Sequence, residues 1–121
     1  MSECLIVVED EVMVRIVLAD ALRNAGYTVI EASTANEALE VLRSVGVDVR
    51  LVFSDVRMPG TMDGIGLAHA VRSEFPTIKI VLTSGNATDL DLVDHDGFFP
   101  KPHSATKIVR YVKTLLGAEE R

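Results

Sequence analysis

Several features of exported and membrane-bound proteins are missing from this sequence. Cys4 is the single cysteine, so no internal disulfide can form, and its place at the start of an apolar run predicts a buried, reduced thiol. The N-terminus has no basic region, and the apolar run from Cys4 to Val8 is too short for a signal sequence or a membrane span. We therefore expect a cytoplasmic protein that does not enter a membrane.

Positive charge is also scarce. The 12 lysines and arginines are outnumbered by 18 aspartates and glutamates, which gives a formal net charge of -6 and a pI of about 4.9. A protein with this charge repels phosphate backbones and anionic lipid headgroups. Nucleic acids and membrane surfaces are therefore not expected among its partners.

Internal repeats, low-complexity tracts and linkers are absent as well. With 121 residues, of which 48% are hydrophobic and 25% are charged, the chain has the size and composition of one globular domain. We predict a single domain that spans residues 1–121.

The sequence contains short apolar runs that alternate with segments of helical length. The runs are too short for helices and predict five strands, at Leu5–Val8, Tyr27–Ile30, Leu51–Phe53, Ile78–Leu82 and Gly97–Phe99. Four segments between or after the strands carry helical apolar stripes. The first predicted helix ends at Gly26, the second has a capping box at Thr34 and Glu37 and stops at Gly46, and the third ends before Pro76. The last predicted helix starts at Ser104 and closes at Gly117, and its buried positions are Ile108, Val112 and Leu115.

The segment between the fourth and fifth strands follows a different pattern. Its sequence, NATDLDLVDHDG, alternates acidic with apolar residues and has no helical stripe, so we expect a short or mobile helix, with Asp94 to Asp96 on a solvated surface. Strands with few polar interruptions that alternate with helices predict a parallel sheet covered on both faces. The expected class is therefore a doubly wound α/β fold.

Polar residues follow the predicted strands at the edge where such sheets bind ligands. Glu9 and Asp10 follow the first strand, Asp55 the third, Thr83 the fourth and Lys101 the fifth. If the first and third strands are neighbours, the carboxylates converge and repel one another by roughly 1 to 4 kcal/mol at about 4 Å. Magnesium would relieve this repulsion, while the lysine and the threonine suit the oxygens of a phosphoryl group carried by one of the carboxylates.

Four motifs in order carry these residues: VVEDE, LVFSDVRMPG with the following MDG, VLTSG, and FFPKP. Together they resemble the receiver domain of bacterial two-component response regulators, and the resemblance covers the whole chain. It implies a flavodoxin-like (βα)5 fold with a five-stranded parallel sheet in the order 2-1-3-4-5, here with an atypical or short fourth helix.

The resemblance also implies a role for each matching residue. Asp55 matches the phosphoacceptor, and Lys101 matches the invariant lysine of the family. Glu9 and Asp10 match the acidic metal-binding pair, with Glu9 in place of the more frequent aspartate. Thr83 matches the switch hydroxyl that turns towards the phosphoryl group.

Further matches surround this set. Arg57 would bind the metal through its backbone carbonyl, and its side chain would lie near the path of a water that attacks the phosphoryl group. Phe98 stands where the switch aromatic is often a tyrosine. The Lys101–Pro102 bond matches a cis peptide of the family. Ser84 is expected only to satisfy backbone groups of its loop.

The expected function is that of a phosphoacceptor switch protein, not of an enzyme acting on other substrates. Asp55 would take a phosphoryl group from a sensor histidine kinase or a phosphotransfer protein, with magnesium, and the changed conformation would signal to a downstream effector in trans. We expect a stand-alone receiver that is a monomer or a weak homodimer, since the irregular fourth segment alters a common dimer surface.

The same residues bear on three other functions. An aspartyl-phosphate hydrolase would carry an acidic group two residues after its nucleophile, where this sequence has Arg57. A flavodoxin-like cofactor binder would need hydroxyl and amide donors after the first strand, where this sequence is acidic. A pseudo-receiver, which would act as an interaction module without phosphorylation, stays open, although the intact set of Asp55, Thr83 and Lys101 argues against it.

Overall fold

The computed structural model describes residues 3–45 and 48–119, in which strands and helices alternate. The strands are β1 (Cys4–Val8), β2 (Thr28–Ala32), β3 (Val49–Asp55), β4 (Lys79–Ser84) and β5 (Gly97–Pro100). The helices are α1 (Val12–Asn24), α2 (Ala35–Val45), α3 (Gly64–Glu74) and α4 (Ala105–Glu119), and a 3₁₀ helix covers Ala87–Asp91. None of the described helices is both long enough and apolar enough to cross a membrane.

The five strands form one parallel sheet in the order β2-β1-β3-β4-β5. Leu5 and Val7 of β1 pack with α1 and α4 on one face, whereas Ile6 and Val8 pack with α2 and α3 on the other, because successive side chains of a strand point to opposite faces. The predicted doubly wound α/β fold and its strand order are confirmed. Parallel strands place all their carboxyl ends at one edge of the sheet.

Three of the five strands continue into polar residues at that edge, beyond the predicted apolar runs, whereas β5 is longer only by Pro100. β3 runs to Asp55 and β4 to Ser84, so the polar residues after the apolar runs are still paired in the sheet. β2 includes Glu31, whose carboxylate pairs with Arg15 and Arg23. Backbone pairing continues beyond the apolar run where a polar side chain finds a partner.

The helix ends agree with most of the sequence signals. Gly26 has a φ of 105° after α1, a left-handed conformation that glycine adopts readily. Thr34 Oγ1 accepts a hydrogen bond from the Glu37 backbone N–H, while the Glu37 carboxylate accepts one from the Ser33 N–H. Ser104 Oγ accepts a hydrogen bond from the Lys107 N–H at the start of α4. The predicted stop of α2 at Gly46 lies outside the described residues.

Other details of the prediction are wrong. Gly117 does not close α4, which continues to Glu119, and the third buried position of that helix is Leu116, while Leu115 is half-buried. A spacing of four residues from Ile108 through Val112 reaches Leu116, which therefore keeps to the inward face. Cys4 is half-buried, not buried.

The segment after β4 forms a 3₁₀ helix of five residues, in agreement with the expected short or atypical fourth helix. It is capped by Asn86, whose side chain accepts a hydrogen bond from the Thr88 N–H. Asp94 is exposed, as expected for this acidic stretch. Asp96 is not simply solvated: its carboxylate accepts hydrogen bonds from the Ile80 N–H at 2.8 Å and from Arg72 at 3.0 Å.

Gly64, the first residue of α3, packs directly under the loop that follows β3. A Cβ at this position would lie 2.1 Å from the carbonyl oxygen of Asp55 and 2.8 Å from the Cα of Val56. The Gly64 N–H also donates to the Val56 carbonyl at 2.9 Å. The absence of a side chain therefore lets α3 begin against the backbone that carries Asp55.

Gly64→Ala is expected to lower the free energy of unfolding by about 1 to 3 kcal/mol, because the atoms that the new methyl group would meet belong to the backbone and cannot rotate away. Gly117→Ala is the matched control, since a Cβ there meets nothing within 4 Å and alanine is the better helix former. Urea denaturation should show this control unchanged or more stable by about 0.5 to 1 kcal/mol. Equal stabilities of the two variants would contradict this account of Gly64.

Candidate phosphoryl and metal site

The carboxyl ends of β1, β3, β4 and β5 bring together the polar residues that follow the apolar runs. In the sheet register, Asp55 pairs with Thr83 and Thr83 pairs with Phe99. Lys101 follows β5 directly, and its backbone N–H donates to the Ser84 carbonyl at 2.9 Å. Groups that lie up to 92 positions apart in the chain, from Glu9 to Lys101, thus meet at one end of the sheet.

Asp55 and Lys101 form the central contact of the site. The Lys101 ammonium donates a hydrogen bond to Asp55 Oδ2, while Asp55 Oδ1 accepts one from the Arg57 backbone N–H at 3.1 Å. Asp55 is 3% exposed, so its carboxylate depends on these donors. Burial lowers the pKa of Lys101, but the hydrogen bond and the charge of Asp55, with smaller contributions from Glu9 and Asp10, outweigh it and raise this pKa overall.

Glu9 is the second buried carboxyl group, and the backbone fixes its position. Its Oε2 accepts a hydrogen bond from the Glu11 N–H at 3.0 Å, and its Oε1 lies 3.8 Å from the Lys101 ammonium. The Glu9 carbonyl accepts a hydrogen bond from Arg15, and its N–H donates to Ala32. Burial, together with the neighbouring Asp10 and Asp55, raises the pKa of Glu9 to about 7.

Carboxylate oxygens of Glu9, Asp10 and Asp55 all lie within 4.8 Å of one another. In an octahedral magnesium site with bonds of about 2.1 Å, ligand oxygens are separated by up to about 4.2 Å, so small side-chain rotations would suffice. Asp10 is exposed, which leaves the cluster open to solvent and to water ligands. The single positive charge of Lys101 does not balance three carboxylates. This set of oxygen donors therefore fits a hard divalent cation.

Thr83, in β4, and Phe98, in β5, lie on the β4–β5 side of the site. The Thr83 hydroxyl is buried and donates a hydrogen bond to the Phe99 carbonyl at 2.7 Å, so it is engaged by the neighbouring strand. Phe98 is half-buried against the core beneath α2 and α3, and its ring centroid lies 6.1 Å from that of His95. The Lys101–Pro102 peptide bond is cis, as the resemblance implies.

The structure adds one residue that the sequence analysis did not single out. Asp89, in the 3₁₀ helix, is 1% exposed, and its carboxylate holds the guanidinium of Arg57 through two contacts, at 2.7 and 3.1 Å. Hydrogen bonds from Arg57 and Ser84 lower the pKa of Asp89. Asp89 lies in the stretch that alternates acidic with apolar residues, and no local pattern distinguished this aspartate from its neighbours. A metal-binding role of the Arg57 carbonyl stays a prediction.

Comparison with known proteins agrees with this geometry. The family model described as response regulator receiver domain matches residues 5–113. The sensor kinase CckA of Brucella abortus is 40% identical over 124 residues, which cover 98% of this chain and 13% of that protein. The chain spans between 13% and 51% of the length of the first curated relatives that it matches.

Solved structures are similar over nearly the full chain. A response regulator receiver protein from Sinorhizobium medicae superposes with a TM-score of 0.88 at 26% identity, covering 97% of this chain and 96% of that one. The receiver domain of the hybrid histidine kinase CckA superposes with a TM-score of 0.79 at 35% identity, covering 92% and 96% of the two chains.

Glu9→Gln is expected to change how stability depends on pH in metal-free buffer. Because the pKa of Glu9 rises from an ordinary 4.5 to about 7 on folding, the folded protein keeps a proton that the unfolded chain has released between these values. The Glu9 contribution to stability is therefore fully present below about pH 4.5 and is lost as the pH rises to about 7. Urea denaturation with a chelator should show wild type losing stability relative to the variant over this range, and parallel profiles would contradict it.

Proposed function

The chain belongs to the response regulator receiver domain family of two-component systems, and we propose that it is an active phosphoacceptor whose Asp55 is phosphorylated in a magnesium-dependent reaction. The observation that carries this proposal is the contact between the buried Asp55 carboxylate and Lys101, beside the carboxyl groups of Glu9 and Asp10. A nucleophile, a cation for phosphoryl oxygens and a set of hard oxygen ligands are present at one edge of the sheet.

In the proposed reaction, an Asp55 oxygen attacks the phosphorus of a phosphohistidine in line with the bond that breaks. A P–O bond to Asp55 forms as the P–N bond breaks. The electron pair of the P–N bond returns to the imidazole nitrogen, and the imidazole takes a proton from water. Lys101 stays within reach of the phosphoryl oxygens and neutralises part of their charge. This chain thereby supplies the nucleophile and the cation for its own modification and acts on no separate substrate.

Glu9, Asp10 and Asp55, with the Arg57 carbonyl, are the groups proposed to hold magnesium. When bound, the ion would neutralise charge on the phosphoryl oxygens and on the carboxylates. Glu9 would contribute as the deprotonated carboxylate, and its raised pKa means that ion binding and loss of its proton are linked. The glutamate therefore makes the metal affinity of this site sensitive to pH near neutrality.

The proposed switch uses Thr83 and Phe98. To reach a phosphoryl group on Asp55, the Thr83 hydroxyl has to leave the Phe99 carbonyl, which it now contacts at 2.7 Å. That change releases a backbone acceptor in β5 next to Phe98, which is half-buried and can move without opening the central core. Phosphorylation would thus be transmitted to the β4–β5 side of the domain.

The phosphodonor is proposed to be a histidine kinase or a phosphotransfer protein that shares the cytoplasm with this chain. A histidine carried by a protein can reach Asp55 only if its carrier covers the carboxyl edge of the sheet. Among the described residues, the exposed large apolar side chains are Val12, Met13, Ile16, Val17 and Leu92, and four of these five lie on α1. α1 begins directly after Glu9, Asp10 and Glu11, so this apolar surface borders the site, and we infer that the donor binds here.

The experiment that tests the phosphoacceptor role uses acetyl phosphate and magnesium, followed by intact mass measurement. Wild type is expected to gain the mass of one phosphoryl group, and Asp55→Asn is expected to gain nothing, since the amide is not a nucleophile here. Asp94→Asn is the matched control, because Asp94 is an exposed aspartate that pairs with Arg72 of α3 and with no residue of the site, and it should be modified like wild type. An unmodified wild type would favour the pseudo-receiver instead.

Met13→Asp tests the proposed donor surface. Met13 is 67% exposed, so the change should leave the fold intact, but it places a charge in an apolar contact. Transfer from a phosphorylated histidine phosphotransfer domain is expected to slow by about tenfold, whereas modification by acetyl phosphate stays at the wild-type rate. Equal rates of wild type and variant with the protein donor, or equal slowing with both donors, would contradict the assignment of this surface.

A further inference from the structure

Arg57 connects the loop that carries Asp55 with the loop that follows β4. Its backbone N–H lies 3.1 Å from Asp55 Oδ1, so its side chain begins next to the nucleophile. The side chain then runs to Asp89, where Nη2 and Nε contact Oδ1 and Oδ2 at 2.7 and 3.1 Å. The guanidinium side chain is 66% exposed, so it lies over the surface, and its contacts with Asp89 set its direction.

Asp89 is buried and hydrogen-bonded within the loop that follows β4, unlike an exposed aspartate. It is 1% exposed, and its Oδ2 also accepts a hydrogen bond from Ser84 Oγ at 2.6 Å. Ser84 Oγ in turn accepts a hydrogen bond from the Asn86 N–H at 3.1 Å. Ser84 directly follows Thr83. The Asp89 carboxylate therefore holds both the start of the loop after β4, through Ser84, and the side chain of Arg57.

Removing Arg57 from Asp89 would leave a buried carboxylate without its positively charged partner. Such a loss is unfavourable, so in wild type the guanidinium stays with Asp89 even when charge appears nearby. If Asp89 were neutral, the same guanidinium would be free to pair with a phosphoryl group on Asp55, because arginine binds phosphoryl oxygens through two parallel hydrogen bonds. The side chain is long enough for this pairing, since it starts beside Asp55.

We propose that Asp89 is a positioning residue for the reaction at Asp55: it holds the Arg57 guanidinium on the loop after β4 and so keeps the phosphoryl group open to water. This inference rests on the proposed phosphoacceptor function. In hydrolysis, a water oxygen forms a bond to phosphorus, the P–O bond to Asp55 breaks, and inorganic phosphate and the free carboxylate result. A guanidinium on the phosphoryl oxygens would cover the solvent side from which water arrives.

The test compares phosphoryl lifetimes in a double-mutant cycle of Asp89→Asn and Arg57→Ala. Each protein is phosphorylated with acetyl phosphate and magnesium, freed of donor by desalting and followed by intact mass. Asp89→Asn is expected to lengthen the lifetime of the phosphoryl group by about threefold or more, because the released Arg57 guanidinium can then pair with the phosphoryl oxygens and cover them from water. In the Arg57→Ala background, the same change is expected to have no effect, because no guanidinium remains to be released.

Glu74→Gln is the matched control for the loss of an arginine–carboxylate pair. Glu74 holds Arg43 through contacts of 3.0 and 2.8 Å between α2 and α3, away from the site. Its removal should leave the lifetime at the wild-type value. An unchanged or shortened lifetime in Asp89→Asn, or an equal lengthening with and without Arg57, would overturn the inference while the phosphoacceptor function stands. An unmodified wild type would overturn both.

A second measurement needs no variant and therefore does not depend on the folding of Asp89→Asn. The Nε–Hε resonance of Arg57 reports on its contact with Asp89 in an NMR titration of wild type with beryllofluoride and magnesium, which mimic the phosphoryl group. We expect this resonance to keep its position while amide resonances around Asp55 shift. A large shift of the Arg57 Nε–Hε resonance would show that the guanidinium leaves Asp89, and it would overturn the inference.

Discussion

The structure of this protein is organised around an imbalance of charge at one end of its sheet. The carboxyl groups of Glu9, Asp10 and Asp55 approach one another within 4.8 Å, and the Lys101 ammonium contacts the buried Asp55 directly. Two of the three carboxyl groups are almost completely buried, so water relieves little of their repulsion. The pocket is therefore prepared for added positive charge and for a phosphoryl group that comes with it.

The rest of the fold keeps these groups from moving apart. Parallel pairing aligns Asp55 with Thr83, and the hydrogen bond from Arg15 to the Glu9 carbonyl secures the end of β1. Gly64 lets α3 begin directly against the carbonyl of Asp55, where any side chain would collide. The paired strands beneath the site hold these groups in position, which matters because small displacements weaken charge-assisted contacts.

Local signals in the sequence predicted the elements of this fold well, because periodicity and capping act within a few residues. Such signals predicted the five strands, the cap at Ser104 and the irregular helix between β4 and β5. Gly117 was misinterpreted as a helix end because Leu116, directly before it, is buried in the core and holds the end of α4 in place, which offsets the low helix propensity of glycine. Asp96 was misinterpreted as solvated because its partners, Ile80 and Arg72, come from distant parts of the chain.

The alternation of short apolar runs with helical stripes predicted the doubly wound α/β class, and the four motifs carry the polar residues of the candidate site. The strand order was implied by the family that these motifs resemble. The protonation and the hydrogen-bond partners of these polar groups depend on contacts that form only in the folded chain. Burial of Glu9 holds its pKa near 7, the Phe99 carbonyl engages the Thr83 hydroxyl, and Asp89 takes the side chain of Arg57. Each of these three features depends on contacts between residues that are distant in the chain and on the exclusion of water from them. Neither can be read from a short stretch of sequence.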